Sequence, residues 1–504
     1  MRRTYIVALL ALCAVAAEAQ PFDPFQPENP VVMGRGGSFT ATATGYNSFF
    51  YNPAGFARGG ELTLAATNVW AFMDRDLISF AQDIAEGTLG IPLSLSTASV
   101  SPASASVAPR ANVSARALDP ATVDELGDSF TALEEWATNE DPAVIQDIVE
   151  EAAGGSDVQY EPGDDFADIL ASADTQDIQQ FLEDFEAAAE ARSPTYPAGT
   201  LAGVLDQIQS ALPGGFLRTG AQAGLGYVGN GIGLGLFANV EATVNGENIL
   251  EAYGTAYNTI TFVGGLGLTF GGLNLGISVR PTVFGYTRVN AAPILSSYLT
   301  GETIDFTSMF QNTVYYGSGL GVDVGALWEL GPLSMGIAVK DLLGTQIGYR
   351  RSDFDSYFQA LQQASLPVGS ALTPEELASA WTIPMKVNAG IEFHPDLGVL
   401  SYLIDPSVSV DLLDMTSAVR TWQAGEQVST EQIVDMLNFG GELRLLQFLA
   451  LRGGYYGGYL SGGVGLDIFL LDINAAIAGD FGRDASGQWG FGNVGGSLEV
   501  AIRF

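Results

Sequence analysis

Cysteine, histidine, basic residues and long apolar runs are all scarce in this chain, and each shortage removes a class of function. The single cysteine, Cys13, lies in the apolar N-terminal stretch. Without that stretch the chain has no thiol, so disulfides, cysteine-ligated zinc and thiol catalysis are excluded. The single histidine, His394, precedes Pro395-Asp396 in a predicted turn. A Ser-His-acid hydrolase would have to use it, and no G-x-S-x-G elbow accompanies it, so it reads as a solvated turn residue. Lys and Arg total 20 against 57 Asp and Glu, a net charge of -37. That balance repels phosphates and argues against a nucleic-acid partner. Past the N-terminus no stretch has the length and continuous apolarity of a membrane helix, so any crossing must be made by strands. No nucleotide, energy-coupling or cofactor motif is visible, and the chain reads as a non-enzyme.

What is present begins with a secretory signal over residues 1–19. Arg2 and Arg3 form its charged start, Tyr5 to Ala17 its apolar stretch, and Ala17-Glu18-Ala19 its small-x-small cleavage site. A lipoprotein reading through Cys13 is disfavoured by bulky Leu12 just before it. Glycine is abundant (62 residues) and charged residues make up only 15%, a balance that suits strands crossing a membrane. No strict Gly triplet runs through the chain, so the glycine is not collagenous.

Glu61 to Phe72 reads as a first strand. Strand patterns then recur from Phe216 to the end, near 216–229, 231–244, 257–270, 272–287, 313–329, 332–349, 382–394, 402–414, 437–446, 447–456, 458–468, 470–480 and 490–504. Many alternate cleanly. Leu273, Leu275, Ile277 and Val279 oppose Asn274, Gly276, Ser278 and Arg280; Met385, Val387, Ala389, Ile391 and Phe393 oppose Lys386, Asn388, Gly390 and Glu392. One face is apolar and the other mixes Gly, Ser, Asn and charges, the pattern of a barrel wall around a polar lumen. The links alternate too: long after odd strands, short after even ones, with only the link at Gly457 an exception. A transmembrane antiparallel β-barrel of about fourteen strands, residues 61–504, keeps this sidedness, with both ends on the short-turn, periplasmic side. The chain is placed in the bacterial outer membrane as a multi-pass barrel.

The longest link, 73–215, carries roughly half the acids and few bases, and reads as a helical, acidic, extracellular insert. Asp141-Pro142 is a helix start, Phe181, Leu182 and Phe185 share one helical face after Asp174, and Thr200 to Leu212 forms another short helix. Ser94 to Ser114 is a low-complexity loop. The acid clusters Asn139-Glu140-Asp141 and Glu161 to Asp168 lack EF-hand spacing and read as solvated faces, with no metal assigned.

Between signal and first strand lies Met33 to Ala57, MGRGGSFTATATGYNSFFYNPAGFA. Its small residues and its Asn52-Pro53-Ala54-Gly55 ending suit a compact irregular backbone packed inside the barrel, and residues 20–60 are read as a plug. By itself Asn-Pro is an ordinary turn starter. This segment resembles the start of the FadL family of outer-membrane transporters for long-chain fatty acids and other hydrophobic molecules, through its Gly/Ala-rich composition and the motif Asn52, Pro53, Ala54. The resemblance implies an N-terminal hatch inside a fourteen-stranded barrel. It also implies capture of hydrophobic small molecules or fatty acids in an apolar groove between outer loops, and sideways release beside a kinked strand. Only the Asn-Pro-Ala motif carries over by position; the Gly-rich third strand, with Gly231, Gly233 and Gly235, is where a kink is looked for. The chain departs from the family in placing its largest insert after the first strand, which puts fatty-acid specificity in doubt.

Lumen-face charges are expected at Arg218, Arg280, Asp323, Lys340, Lys386, Glu392, Asp411, Glu442, Arg444, Glu499 and Arg503. They are read as pairing across the lumen and holding the hatch, in preference to lining a polar solute path. The last strand, with Leu498, Val500, Ile502 and terminal Phe504 on one face, looks like the signal read by the barrel assembly machinery, and outer-membrane lipid is the expected surrounding. The function expected is passive transport of hydrophobic compounds. The alternative is an accessory or scaffold barrel that binds a protein through its outer loops; a barrel lipid hydrolase would need a serine beside His394.

Overall fold

The computed structural model describes residues 28–74, 132–152 (without 134), 178–199, 213–248, 253–290, 310–483 (without 364, 366, 379, 424, 426 and 457) and 489–504. The signal at 1–19, the low-complexity stretch, Glu161 to Asp168 and the helix expected at 200–212 lie outside the described residues.

The strands are β1 (Gly60–Asp74), β2 (Pro213–Gly229), β3 (Ile232–Asn248), β4 (Tyr253–Phe270), β5 (Leu273–Asn290), β6 (Phe310–Leu330), β7 (Leu333–Lys340), β8 (Ile347–Asp353), β9 (Ser370–Ala371), β10 (Lys386–Phe393), β11 (Ile404–Leu412), β12 (Leu437–Leu445), β13 (Leu449–Tyr456), β14 (Tyr459–Ile468), β15 (Leu471–Arg483) and β16 (Trp489–Arg503). Antiparallel pairing runs from β5 through β4, β3, β2, β1, β16, β15, β14, β13, β12, β11, β10 and β7 to β6, and β5 pairs with β6 to close the ring. The result is a closed barrel of fourteen strands, in which β8 continues the place of β7 beside β6 and β9 pairs with β8. Closure leaves no unpaired edge, the condition for strands to sit in hydrocarbon.

The alternation reverses that of a water-soluble protein. On β5, Leu275, Ile277 and Val279 are exposed while Asn274, Ser278 and Arg280 are buried. On β10, Ile391 and Phe393 are exposed while Asn388 and Glu392 are buried; on β16, Leu498, Val500 and Ile502 are exposed while Ser497 and Glu499 are buried. Apolar side chains face outward and polar ones face the lumen, the arrangement of an outer-membrane barrel in lipid. None of the described helices is long and apolar enough to span a bilayer.

The run expected as one strand over 332–349 divides in two. β6 pairs with β7 over Val324–Leu330 and with β8 over Thr313–Gly319. Between them Asp341 and Leu343 take left-handed backbone angles (φ 50 and 67) and Thr345 bridges Ile383. Asp341 is drawn to a buried ion cluster: Arg280 reaches Asp323 at 2.8 and 2.9 Å and Asp341 at 2.8 Å, Lys340 reaches Asp323 at 2.8 Å, and the Asp341 N–H donates to Asp323. Satisfying four buried charged groups together outweighs about 1–2 kcal/mol of left-handed strain per residue.

Residues 28–59 lie within the ring. They contain helix α1 (Pro30–Gly34), capped by Asn29, and two 3-10 turns, Gly45–Phe49 and Pro53–Ala57. Phe39, Tyr46, Phe49, Phe50, Tyr51 and Phe56 form one cluster with Val228, Phe237 and Val263 of the wall. This is a hydrophobic core in the sense of a soluble domain, built inside a barrel.

Part of the insert is also folded on itself. Helices α2 (Pro142–Ala152) and α3 (Ile178–Arg192) bury Ile145, Ile148 and Val149 with Phe181, Leu182 and Phe185, and Trp136 stacks edge-on against Phe185 and Tyr196. Acids of both helices stay at the surface, among them Glu150, Glu151 and Glu190.

Candidate functional site

The N-terminal segment meets the wall where the wall has no side chains. Gly325 of β6 faces Asn52, and a Cβ there would stand 1.9 Å from Asn52 Oδ1. Gly276 of β5 faces Pro53, where a Cβ would stand 2.2 Å from the Pro53 carbonyl carbon. The segment therefore packs directly on wall backbone. Asn52, fully buried, uses this closeness: its Nδ2 donates to Thr40 O at 2.9 Å and to Ala326 O and Ile337 O at 3.3 Å, and its Oδ1 accepts from the Ala54 N–H at 3.1 Å. Pro53 occupies the first helical position, where its missing N–H is harmless. The Asn-Pro-Ala motif is thus both a helix cap and a seam to two barrel strands.

Charged side chains fasten the segment further. Arg35 pairs with Glu392 at 3.1 Å, both buried. The N–H groups of Phe39 and Thr40 donate to Asp411 Oδ2 at 2.8 and 2.7 Å, and Ser38 bonds Ser409. Glu28 accepts from Arg218 at 2.6 Å and from Tyr456 at 2.8 Å; Asn29 donates to Glu499 at 3.0 Å; Arg58 pairs with Glu329 at 2.8 Å. Removing one member of a buried pair leaves an uncompensated charge, costing about 3–5 kcal/mol.

Of the expected lumen charges, Arg218, Glu392, Asp411 and Glu499 touch the segment directly. Arg280, Asp323 and Lys340 form the wall cluster described above. Glu442 pairs with Arg452 at 2.6 Å and Arg444 at 3.4 Å, and Arg503 with Glu499 at 2.8 Å and with Asp472. Lys386 begins β10, in register with Lys340. Gly231 turns the β2–β3 hairpin at φ 76. Gly233 and Gly235 sit in unbroken ladders with both neighbouring strands and face the rings of Phe56 and of Phe49 and Phe237. Sequence reasoning missed Arg35, Arg452 and Glu28. A charge in an irregular segment such as 28–35 carries no periodicity to announce its partner.

Two kinds of cavity flank this arrangement. At the short-turn end of the barrel a space of about 340 Å³ is lined by Arg35, Arg444, Arg452, Arg503, Glu392, Glu442 and Asp472. His394 lies at its border with Nε2 2.7 Å from Asp405, and no described hydroxyl bonds the ring. On the outer wall a groove of about 1080 Å³ runs across Val69, Val240, Ile260 and Leu498 and beneath helix α4 (Phe354–Gln362). The helix turns Phe354, Tyr357, Phe358 and Leu361 toward it. Tyr357 hydroxyl approaches Asn258 at 3.0 Å, and Tyr316 donates to Pro367 O at 2.7 Å, which holds the α4 loop on the barrel. This helix also escaped the sequence reading, since its apolar residues fall in a link taken as a loop.

Toward the long-loop end of the barrel, Trp381 inserts its indole among Tyr257, Phe284 and Tyr286 with ring centroids 5.3, 5.2 and 5.9 Å away. In the insert, Glu140 accepts from Ser193 and from Thr195, which hold its carboxyl down at about 2. Burial pushes the Tyr196 hydroxyl well up.

No family model matches the chain, and no curated protein does. Solved structures do. The chain is similar to FadL-type barrels over nearly its whole length. A FadL homologue of Pseudomonas aeruginosa aligns at 12% identity over 96% of this chain and 99% of its own, with a TM-score of 0.40. The toluene transporter TodX of Pseudomonas putida aligns at 9% identity over 96% and 99%, with a TM-score of 0.39. The translocator domain of the autotransporter NalP from Neisseria meningitidis aligns at 12% over 58% of this chain and 82% of its own, with a TM-score of 0.25. No residue correspondence is drawn at these identities.

Proposed function

We propose that this chain is an outer-membrane passive transporter for hydrophobic compounds, with long-chain fatty acids the first cargo to test. One observation carries the reading: residues 28–59 fill the lumen through glycine-backed contacts and buried ion pairs, while the large outer-wall groove is apolar. A lumen filled in this way does not fit a porin-like role. A groove of this kind takes alkyl or ring compounds, because its lining offers apolar contact with few polar groups.

The proposed route starts with apolar capture at the outer loops, where α4 overhangs the wall. Segment 28–59 acts as the hatch, and its rearrangement opens the way inward. Release is sideways into lipid, because the periplasmic space below is lined with charges that an alkyl chain would have to desolvate. The C-terminal strand is proposed as the element read by the assembly machinery.

The test is saturable binding of a radiolabelled long-chain fatty acid to purified protein exchanged into mild detergent. Phe358→Asp should weaken binding about tenfold or more, since burying a Phe side chain is worth about 1.5–3 kcal/mol. The control is a change at the periplasmic end, Gln447→Ala, which should leave binding unchanged. Absence of saturable binding by a well-folded barrel would sink fatty acid as the cargo.

A second reading has its own support. Helices α2 and α3 bury their apolar faces on each other and present acids outward. That surface suits a protein partner with a basic face better than a greasy ligand, as an accessory barrel would require.

A further inference from the structure

The periplasmic rim is chemically split. Its hairpin turns on the long-strand side follow ordinary turn chemistry: Asn230-Gly231 at φ 52 and 76, Gly271 at φ 57 and Gly331 at φ 65. Glycine and asparagine take such angles cheaply. On the opposite side the β10–β11 turn also uses a glycine, Gly398 at φ 59, but the β12–β13 and β14–β15 turns break the rule. Leu446 and Phe469 hold φ values of 51 and 61, and Gln447 holds 62. A bulky side chain in that region costs about 1–2 kcal/mol. Burial within the protein does not repay it at Phe469, which is 91% exposed. Val399 and Tyr402 in the neighbouring β10–β11 turn are 83% and 73% exposed. Where a sequence departs from local turn chemistry to display an apolar group, the group itself is in use.

Strand length says what it is used for. β2 to β6 have 17, 17, 18, 18 and 21 residues. β10 to β14 have 8, 9, 9, 8 and 10. At about 3.3 Å per residue and a tilt near 45°, eight to ten residues cover roughly 19–23 Å, short of an apolar band of ~25 Å or more. The shortfall must be met at one end. At the outer end this sector is tied into helix α5 (Met415–Gln423) through Arg420, which pairs with Asp414 at 3.0 Å, both partly exposed to solvent. At the periplasmic end the exposed groups are Val399, Leu400, Tyr402, Leu446, Phe448 and Phe469, continuous with the outward wall at Ile404 and Ile468.

We infer that the β10–β15 side of the periplasmic rim is a lipid-seated surface: its turns dip into the inner leaflet of the membrane, while the β2–β7 rim stands in water. The partner is the acyl and headgroup boundary of the leaflet, continuous with the lipid already contacted by the wall. The mismatch is relieved by turn insertion on one side only, so the barrel is held at a fixed tilt.

Spin labels on single cysteines test this in full-length protein carrying Cys13→Ser, reconstituted in phosphatidylethanolamine/phosphatidylglycerol vesicles. Labels at Val399→Cys and Phe469→Cys are compared with Val410→Cys on the lipid-facing wall and Asn230→Cys on the opposite rim. The expected result is that labels at 399 and 469 favour collision with oxygen over a water-soluble nickel chelate several-fold, as at 410, while 230 shows the reverse. Tyr402→Cys is a third position should one variant fail to assemble. Chelate accessibility at 399, 402 and 469 equal to that at 230 would overturn the seat and leave these turns as a surface facing the periplasm, open to a protein.

Discussion

Asn52 shows how much a single side chain can hold when it is buried among carbonyls. It caps one short helix and donates to three carbonyl oxygens, two of them on different barrel strands. Asn52→Ala leaves these acceptors without their donor, at about 1–3 kcal/mol for a buried unsatisfied group. We expect the temperature at which the barrel unfolds, read from its heat-dependent electrophoretic mobility, to fall while assembly persists. Gly325→Ala attacks the same seam from the wall. Its Cβ would lie 1.9 Å from Asn52 Oδ1, an oxygen held in place by the Ala54 N–H. The expected outcome is a displaced segment and ion-conducting steps in planar bilayers, set against a quiet unaltered protein. A silent Gly325→Ala channel would mean that the seam is not what closes the lumen.

Among elements, the insert and the N-terminal segment respond to different variables. The Glu140 carboxyl sits near 2, held down first by Ser193 and then by Thr195. A carboxyl lowered on folding adds stability above its unfolded value, ordinarily about 4.3, and that stability is lost as pH falls through the folded value. The group is largely solvent-screened, so the effect is small. The protection of α2 and α3 against hydrogen exchange, taken relative to the intrinsic exchange rate at each pH, should fall slightly between about pH 4.3 and pH 2, and Glu140→Gln should remove that fall while leaving the barrel unaffected. For the N-terminal segment the variable is charge pairing. Arg35→Ala leaves Glu392 buried and unpaired, and should destabilise by about 3–5 kcal/mol in urea titration; Arg35→Met with Glu392→Leu should cost much less, since an apolar pair of similar volume avoids the desolvation of both ions.

At the scale of the whole molecule, closure and the outward apolar face belong together. Among the described residues the fourteen strands pair around the ring, and their outward side chains are largely apolar, as strands in lipid require. If the outer groove collects cargo, ligand binding should survive changes at the periplasmic end and fail on changes beneath α4. Phe358→Asp and Leu361→Asp should each weaken fatty-acid binding, measured by the same radiolabel assay, without altering the heat-shift of the barrel.

Much of this was legible in the residues. Period-two alternation on β5 and β10 states which side chains share a face, because a strand places neighbours on opposite sides whatever surrounds it. Asp141-Pro142 states a helix start, and a helix begins at Pro142. The division of 332–349 at Asp341 was not legible. It depends on Arg280, Asp323 and Lys340 meeting from three strands, and no local pattern records such a meeting. Helix α4 was hidden for a similar reason: its apolar face covers a wall that only the closed barrel supplies. Gly233 and Gly235 illustrate an ambiguity of a different kind. Glycine in a strand signals either a bend or a close approach, and the rings of Phe49 and Phe56 packed on these two show the approach.

The sequence by itself determined the strands, their two faces and the placement of the barrel in an outer membrane, since each follows from short-range periodicity and composition. The tertiary structure alone decided which charges meet, how residues 28–59 are fastened and where an apolar groove opens. Those depend on atoms brought together across hundreds of residues, as when Asn29 meets Glu499, and a pattern of near neighbours carries no information about them.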